Sequence, residues 1–94
     1  MRVLIAYDVS TTSPAGAKRL RRVARACQDY GQRVQYSHFE CQVGAKDWAT
    51  LHDRLLSEIK ESEDSLLFYY LEEDTVIEHH GVREPIALDG PLII

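Results

Sequence analysis

The sequence of 94 residues predicts an α+β fold in which strands and helices follow one another as β-α-β-β-α-β. Three observations carry that expectation. The stretches Val3–Ala6 and Leu66–Leu71 are apolar at both parities, as strands buried on both faces are. Two longer stretches repeat apolar residues at helical spacing. Between them lies a run without Gly, Pro or Asn, rich in β-branched and aromatic residues.

Arg2 to Asp8 reads as the first strand, and Val9 to Ser13 as a Ser/Thr-rich loop. Ser13-Pro14 starts a helix, with Ser at the N-cap and Pro at the first helical position. The helix is expected to run to Tyr30 and to stop at Gly31. Leu20, Val23, Ala24, Cys27 and Tyr30 share its buried face, while Lys18, Arg19, Arg21, Arg22 and Arg25 cover much of the rest. Gln32 to Val43 favours strand, but its alternation breaks. Val34 and Tyr36 have one parity and Phe39, Cys41 and Val43 the other, so a bulge, bend or tight turn is expected near Ser37-His38.

After Gly44, a second helix from Ala45 to Lys60 places Trp48, Leu51, Leu55 and Ile59 on one face. Glu61-Ser62-Glu63-Asp64 reads as a solvated loop and Ser65 to Leu71 as the strongest strand. Beyond the acidic Glu72-Glu73-Asp74, a short strand is expected at Thr75 to His79. Asp89-Gly90-Pro91 then turns the chain into Leu92-Ile93-Ile94, a further C-terminal strand.

This is the ferredoxin-like pattern, read as one domain over 1–94 with a core over 1–71 and a dimerisation and partner-docking extension over 72–94. Two helices cover only one face of such a sheet, yet the first and last core strands are apolar on both faces. A homodimer through the open sheet face is therefore expected, with Leu92-Ile93-Ile94 extending a sheet edge across the interface.

Composition is ordinary for a globular chain, with 45% hydrophobic and 28% charged residues. The net charge of -4 is unevenly spread. Residues 1–47 hold eight Lys or Arg against four Asp or Glu, and residues 48–94 hold three against eleven. A phosphate responds to charge within a screening length of about 8–10 Å, so the acidic whole does not exclude an anionic partner. Cys27 and Cys41 lack metal-like or redox spacing and read as reduced core thiols. No stretch reads as a signal peptide or a membrane span, so a cytoplasmic protein without a membrane partner is expected.

Asp8 is the only acid among the first 28 residues, and it stands where an interior strand leaves the sheet. The ordinary reading is a carboxylate that caps the loop or pairs with an arginine. The functional reading is a ligand for Mg2+ (or Mn2+), with Ser10, Thr11, Thr12 and Ser13 supplying further oxygens. One carboxylate is a poor site alone, but a two-fold axis would bring Asp8 of both subunits together. Two carboxylates, a hydrated divalent ion and a phosphodiester make a hydrolytic site with Asp8 catalytic and Ser10 orienting ligands or substrate. The cations Lys18, Arg19, Arg21, Arg22 and Arg25 have no carboxylate within their own helix before Asp29. Together with Arg33 they read as a nucleic-acid-binding patch that grips phosphates without reading bases.

Other candidates carry less. Along a strand His79 and His80 point to opposite faces and cannot readily share an ion with Glu78. His38 is expected to line the interface rather than act as a base. Tyr7, Tyr36, Phe68, Tyr69 and Tyr70 could stack on bases, but the dimer reading assigns them to the core.

The stretches "AYDVS", "KRLRRVARACQDYGQRVQYSHFEC" and "DSLLFYYL" resemble the small CRISPR-associated protein that accompanies the adaptation integrase, and "GPLII" matches the tail of one subgroup. The separation of Tyr7–Ser10 from Gly31–Glu40 makes the resemblance specific. It implies a ferredoxin-like homodimer acting in spacer acquisition, with Asp8 in the place of the magnesium ligand and proposed catalytic residue. The family implies a metal-dependent endonuclease on single-stranded RNA or duplex DNA. It also implies an adaptor in which the dimer bridges two integrase dimers, first-helix arginines serve nucleic acid and the tail docks the integrase. Glu72-Glu73-Asp74 departs from the pattern, being denser in acid than expected there, and is placed on the integrase-facing or solvent side. A small-ligand regulatory domain of the same fold is a distant third reading, opposed by the basic helix.

Overall fold

A computed structural model describes residues 1–81. Its elements are β1 (Arg2–Asp8), α1 (Pro14–Tyr30), β2 (Gly31–Gln35), β3 (His38–Gln42), α2 (Ala45–Glu58) and β4 (Ser65–Leu71). The strands form one sheet in the order β2-β3-β1-β4, every neighbouring pair antiparallel. β1 and β2 therefore run the same way with β3 between them, which is the split β-α-β arrangement of the ferredoxin-like fold. The expected element order and fold class are both present.

α1 begins as its sequence dictates: the Gly16 amide donates to Ser13 Oγ at 3.1 Å, and Pro14 occupies the start, where no amide is needed. Val23, Ala26 and Cys27 are its buried side chains, with Leu20, Ala24 and Tyr30 packed alongside. Gly31 ends the helix, as expected, without a left-handed cap. Its backbone is extended and β2 starts at once. A Cβ there would stand 2.6 Å from both Cys41 Sγ and the Glu40 carbonyl oxygen, so close approach to β3 is what requires glycine.

The broken alternation resolves into a hairpin. β2 ends at Gln35, Tyr36-Ser37 turn, and the register shifts by a bulge between Arg33 and Gln35. α2 buries Trp48, Leu51 and Leu55, and it stops at Glu58, two residues short of the expected Lys60. The core lies between the helices and one sheet face, where Val3, Ile5, Phe39, Cys41, Val23, Cys27, Leu51 and Leu55 are fully enclosed. Burial pushes the Cys27 thiol up to about 12 and the Cys41 thiol to about 11, so both are inert thiols as expected.

The opposite face carries Leu4, Ala6, Leu67 and Tyr69 under no helix, and Leu67 and Tyr69 are 52% and 47% exposed. Within the protomer Tyr7 lies in the core and Phe68 packs against it, while Tyr36, Tyr69 and Tyr70 are exposed. One expectation changes here. Thr75 to His79 is not a strand: no strand among the described residues offers it a ladder, and Arg2 takes the carbonyls of Glu72, Glu73 and Thr75 instead. The strand expected at Leu92-Ile93-Ile94 and the turn at Asp89-Gly90-Pro91 lie outside the described residues. No helix among the described residues is long and apolar enough to cross a membrane.

Candidate active site

β1 is a central strand, held between β3 and β4 over most of its length, and it delivers Asp8 to the end of the sheet. Alternation along the strand sends Val3, Ile5 and Tyr7 toward the helices and Leu4, Ala6 and Asp8 toward the open face. The Asp8 carboxylate is exposed and takes part in no ion pair among the described residues. It borders an open groove of about 530 Å3 that Ala6, Thr11, His38, Ser65, Leu67 and Tyr69 also line. His38 therefore shares the face and the groove with Asp8, where an interface was expected to run.

Ser10 is half-buried in the following loop, with its hydroxyl 3.2 Å from Thr12 Oγ1. Its position is set by its backbone. The Ser10 amide donates to Asp64 Oδ1 at 3.1 Å, and α1 crosses so near that a Cβ on Gly16 would stand 1.9 Å from the Ser10 carbonyl oxygen. Asp64 is the residue that sequence reasoning missed. Placed in a solvated loop by its polar neighbours, it has a fully buried side chain. Arg19 donates to it through Nε at 2.7 Å and Nη2 at 3.2 Å, and the Lys60 amide donates at 2.8 Å. The Arg19 guanidinium, with the Lys60 and Ser10 amides, holds the Asp64 carboxyl down at about 2 against burial that pushes the other way. The only sequence signal was its place immediately before the apolar strand.

The basic patch is correspondingly smaller than expected. Arg19 is 16% exposed and committed to Asp64 and Glu63, so it is not an open phosphate ligand. Arg22 stands 3.8 Å from Glu58, and Arg25 stands 3.1 Å from Asp29, which Arg54 also reaches. The absence of an acid early in the helix was real, but Arg19 and Arg22 take carboxylates from other elements, and Arg25 takes Asp29 at the end of its own helix. Lys18 and Arg21 are exposed without a carboxylate partner among the described residues, while Arg22 and Arg25 are exposed in surface pairs worth little. Arg33 lies over the Phe39 ring at 5.0 Å, its Nε buried without a hydrogen-bond partner. It meets the patch at Arg21, with which it lines a smaller cleft beside Tyr7 and Tyr36.

Glu73 reaches the Met1 amino group and Gln42, which fixes the acidic run at the N-terminal end of β1. Seven strand residues, about 20 Å, separate it from the Asp8 end. His80 pairs with Glu78 and His79 meets the Gly81 carbonyl, and no group of three His, Cys, Asp or Glu among the described residues could hold a metal.

The family model described as CRISPR associated protein Cas2 matches residues 1–77. The chain is 54% identical over 96 aligned positions to the CRISPR-associated endoribonuclease Cas2 of Nitratidesulfovibrio vulgaris, covering all of this chain and 94% of that one. It is 52% identical over 95 positions to the CRISPR-associated endonuclease Cas2 of Halalkalibacterium halodurans, covering 99% of each. A crystal structure of Streptococcus pyogenes Cas2 at pH 6.5 superposes with a TM-score of 0.72 and 51% identity, over 79% of this chain and 89% of that one.

Proposed function

The chain belongs to the CRISPR-associated Cas2 family, and we propose that it is a metal-dependent endonuclease that cuts nucleic-acid phosphodiesters in spacer acquisition, acting as a cytoplasmic homodimer. The observation that carries this reading is the exposed Asp8 carboxylate, set at the end of a central strand on the helix-free face beside an open groove. The printed names of two relatives, an endoribonuclease and an endonuclease, support the reaction class.

Among the described residues one protomer brings a single carboxylate, Asp8, to the groove, and no group of three donors that could hold a metal. A second copy seated on the open face covers Leu67 and Tyr69 and contributes its own Asp8. Magnesium is commonly held by one or two carboxylates with waters and phosphate oxygens, so two copies of Asp8 fit Mg2+ or Mn2+. An ion held there would supply neutralisation of phosphate charge and a water made nucleophilic near neutral pH. Asp8 of each copy would hold the ion, and the Ser10 hydroxyl, tied to Thr12, would orient ligands at the rim. Lys18, Arg21, Arg22 and Arg25 hold the flanking phosphates, with Arg33 beside them.

A second reading rests on Lys18 and Arg21, exposed cations whose use does not require Asp8. On that reading the dimer is a non-catalytic adaptor that grips duplex DNA and bridges CRISPR integrase dimers. Cleavage of duplex DNA and single-stranded RNA by the wild type and Asp8→Asn, with Mg2+ and with chelator, separates the two. The nuclease reading expects Mg2+-dependent cleavage by the wild type alone, with dimerisation and binding equal in both. Absence of cleavage from both proteins, with tight salt-sensitive DNA binding, leaves the adaptor.

A further inference from the structure

The Asp64 carboxylate accepts four hydrogen bonds, two on each oxygen, from the loop after β1, from α1 and from the turn before β4. Its neighbour Ser65 is the cross-strand partner of Asp8. The path from Asp8 through Val9 to Ser10, across to Asp64, on to Ser65 and back over the sheet therefore closes a small ring. Asp8 sits inside it, fixed by the sheet on one side and by the clamped loop on the other. The Ser10 peptide is gripped twice, by Asp64 at its amide and by the close pass of Gly16 at its carbonyl.

Stability alone does not explain such a site, because a buried ion pair is often no better than the apolar residues that could replace it. Geometry does. A metal site completed across a two-fold axis repeats any movement of one Asp8 in the other. A loop displacement directed along the line between the two carboxylates changes their separation by twice its size.

We propose that Asp64 is the positioning residue for Asp8: through Ser10 and Ser65 it sets where the Asp8 carboxylate stands, with Arg19 as its counter-ion rather than a nucleic-acid ligand. This rests on the nuclease reading above. Asp64 touches neither metal nor substrate; it acts through the backbone on either side of Asp8.

The test uses the full-length dimer with Asp64→Asn and Arg19→Lys, beside Leu55→Val as a core control remote from the groove. The readouts are kcat and KM for nucleic acid, Mn2+ affinity from the spin-resonance signal of free Mn2+, and exchange of the Ser10 amide in metal-free protein. In both clamp variants kcat is expected to fall about 10- to 100-fold, with KM changed less than about twofold. Mn2+ binding is expected to weaken about tenfold, as when a residue supporting a ligand is lost. Ser10 exchange accelerates, and Leu55→Val leaves kcat and Mn2+ affinity unchanged. If Asp64→Asn does not fold, Arg19→Lys carries the test, since it keeps the ion pair but replaces the fork with a point donor.

Clamp variants that move kcat and Mn2+ affinity no more than Leu55→Val does would overturn the proposal. So would a rise in KM at constant kcat in Arg19→Lys, which would make Arg19 a phosphate ligand. Asp8→Asn is assayed in parallel. If it is inactive while the clamp variants are not, only the positioning role fails; if it still cleaves, the nuclease reading fails and the proposal with it.

Discussion

Protonating Asp64 should loosen the fold over a narrow acid range. An unperturbed aspartate titrates at 3.8, and the Arg19 guanidinium with two backbone amides lowers Asp64 to about 2. At about 1.4 kcal/mol per pH unit, the difference corresponds to roughly 2 kcal/mol of folding stability, undiscounted because the carboxylate is fully shielded from water. The folded value lies below the unfolded one, so the contribution is complete above about pH 4 and is lost as pH falls toward about 2. Asp64→Asn removes the charge at every pH and leaves Arg19 without its main partner, a loss of about 3–5 kcal/mol at neutral pH. The stability gap between wild type and variant should therefore narrow by about 2 kcal/mol between about pH 5 and about pH 2. Urea unfolding followed by the fluorescence of Trp48, the single tryptophan, reads that gap directly. Protein concentration must be fixed, because a dimer's stability depends on it. A gap that stays constant across the acid range would refute the assignment of Asp64 as a charged clamp.

Gly16→Ala should destabilise the fold by about 1–3 kcal/mol in chemical denaturation, because the new methyl would overlap the Ser10 carbonyl. That loss outweighs the gain of about 1 kcal/mol in helix propensity. Replacing both Lys18 and Arg21 with Gln should lower the slope of log affinity for duplex DNA against log salt by about 2, read from binding titrations at several salt concentrations. Arg19→Lys should leave that slope unchanged. Leu67→Asp should raise the dimer dissociation constant by about 100-fold or more in sedimentation experiments, since an unpaired charge would be buried at the open face.

The elements legible in the sequence were those whose signals are local. Ser13-Pro14 starts α1 by its own chemistry, and Val3–Ala6 and Leu66–Leu71 are blocks too apolar to lie anywhere but in a sheet. The parity conflict between Val34 and Phe39 located the hairpin turn, although only coordinates separate the turn at Tyr36-Ser37 from the bulge before Gln35. Asp8 was legible because it is a lone acid at a strand end. The charge pairing around it was not. Arg19 and Asp64 are 45 positions apart, and nothing in Glu61-Ser62-Glu63-Asp64 indicates that only the last residue turns inward. Val76 and Ile77 looked like strand residues, but a strand needs a neighbouring edge, and that is a property of the sheet rather than of the segment.

The two outer strands of the sheet are unequal. β4 is paired to β1 over all seven of its residues, and among the described residues no strand lies along its other side. β2, at the far edge, has five residues and is bulged. In polymer terms a protomer able to pair through only one of these edges would be a monofunctional monomer, and among the described residues β4 is the open edge and bulged β2 the poorer one. Two equal edges would let copies add indefinitely into fibres; one edge of each kind would make any strand pairing between copies a termination step. The bulge before Gln35 therefore makes the far edge the poorer template for strand addition.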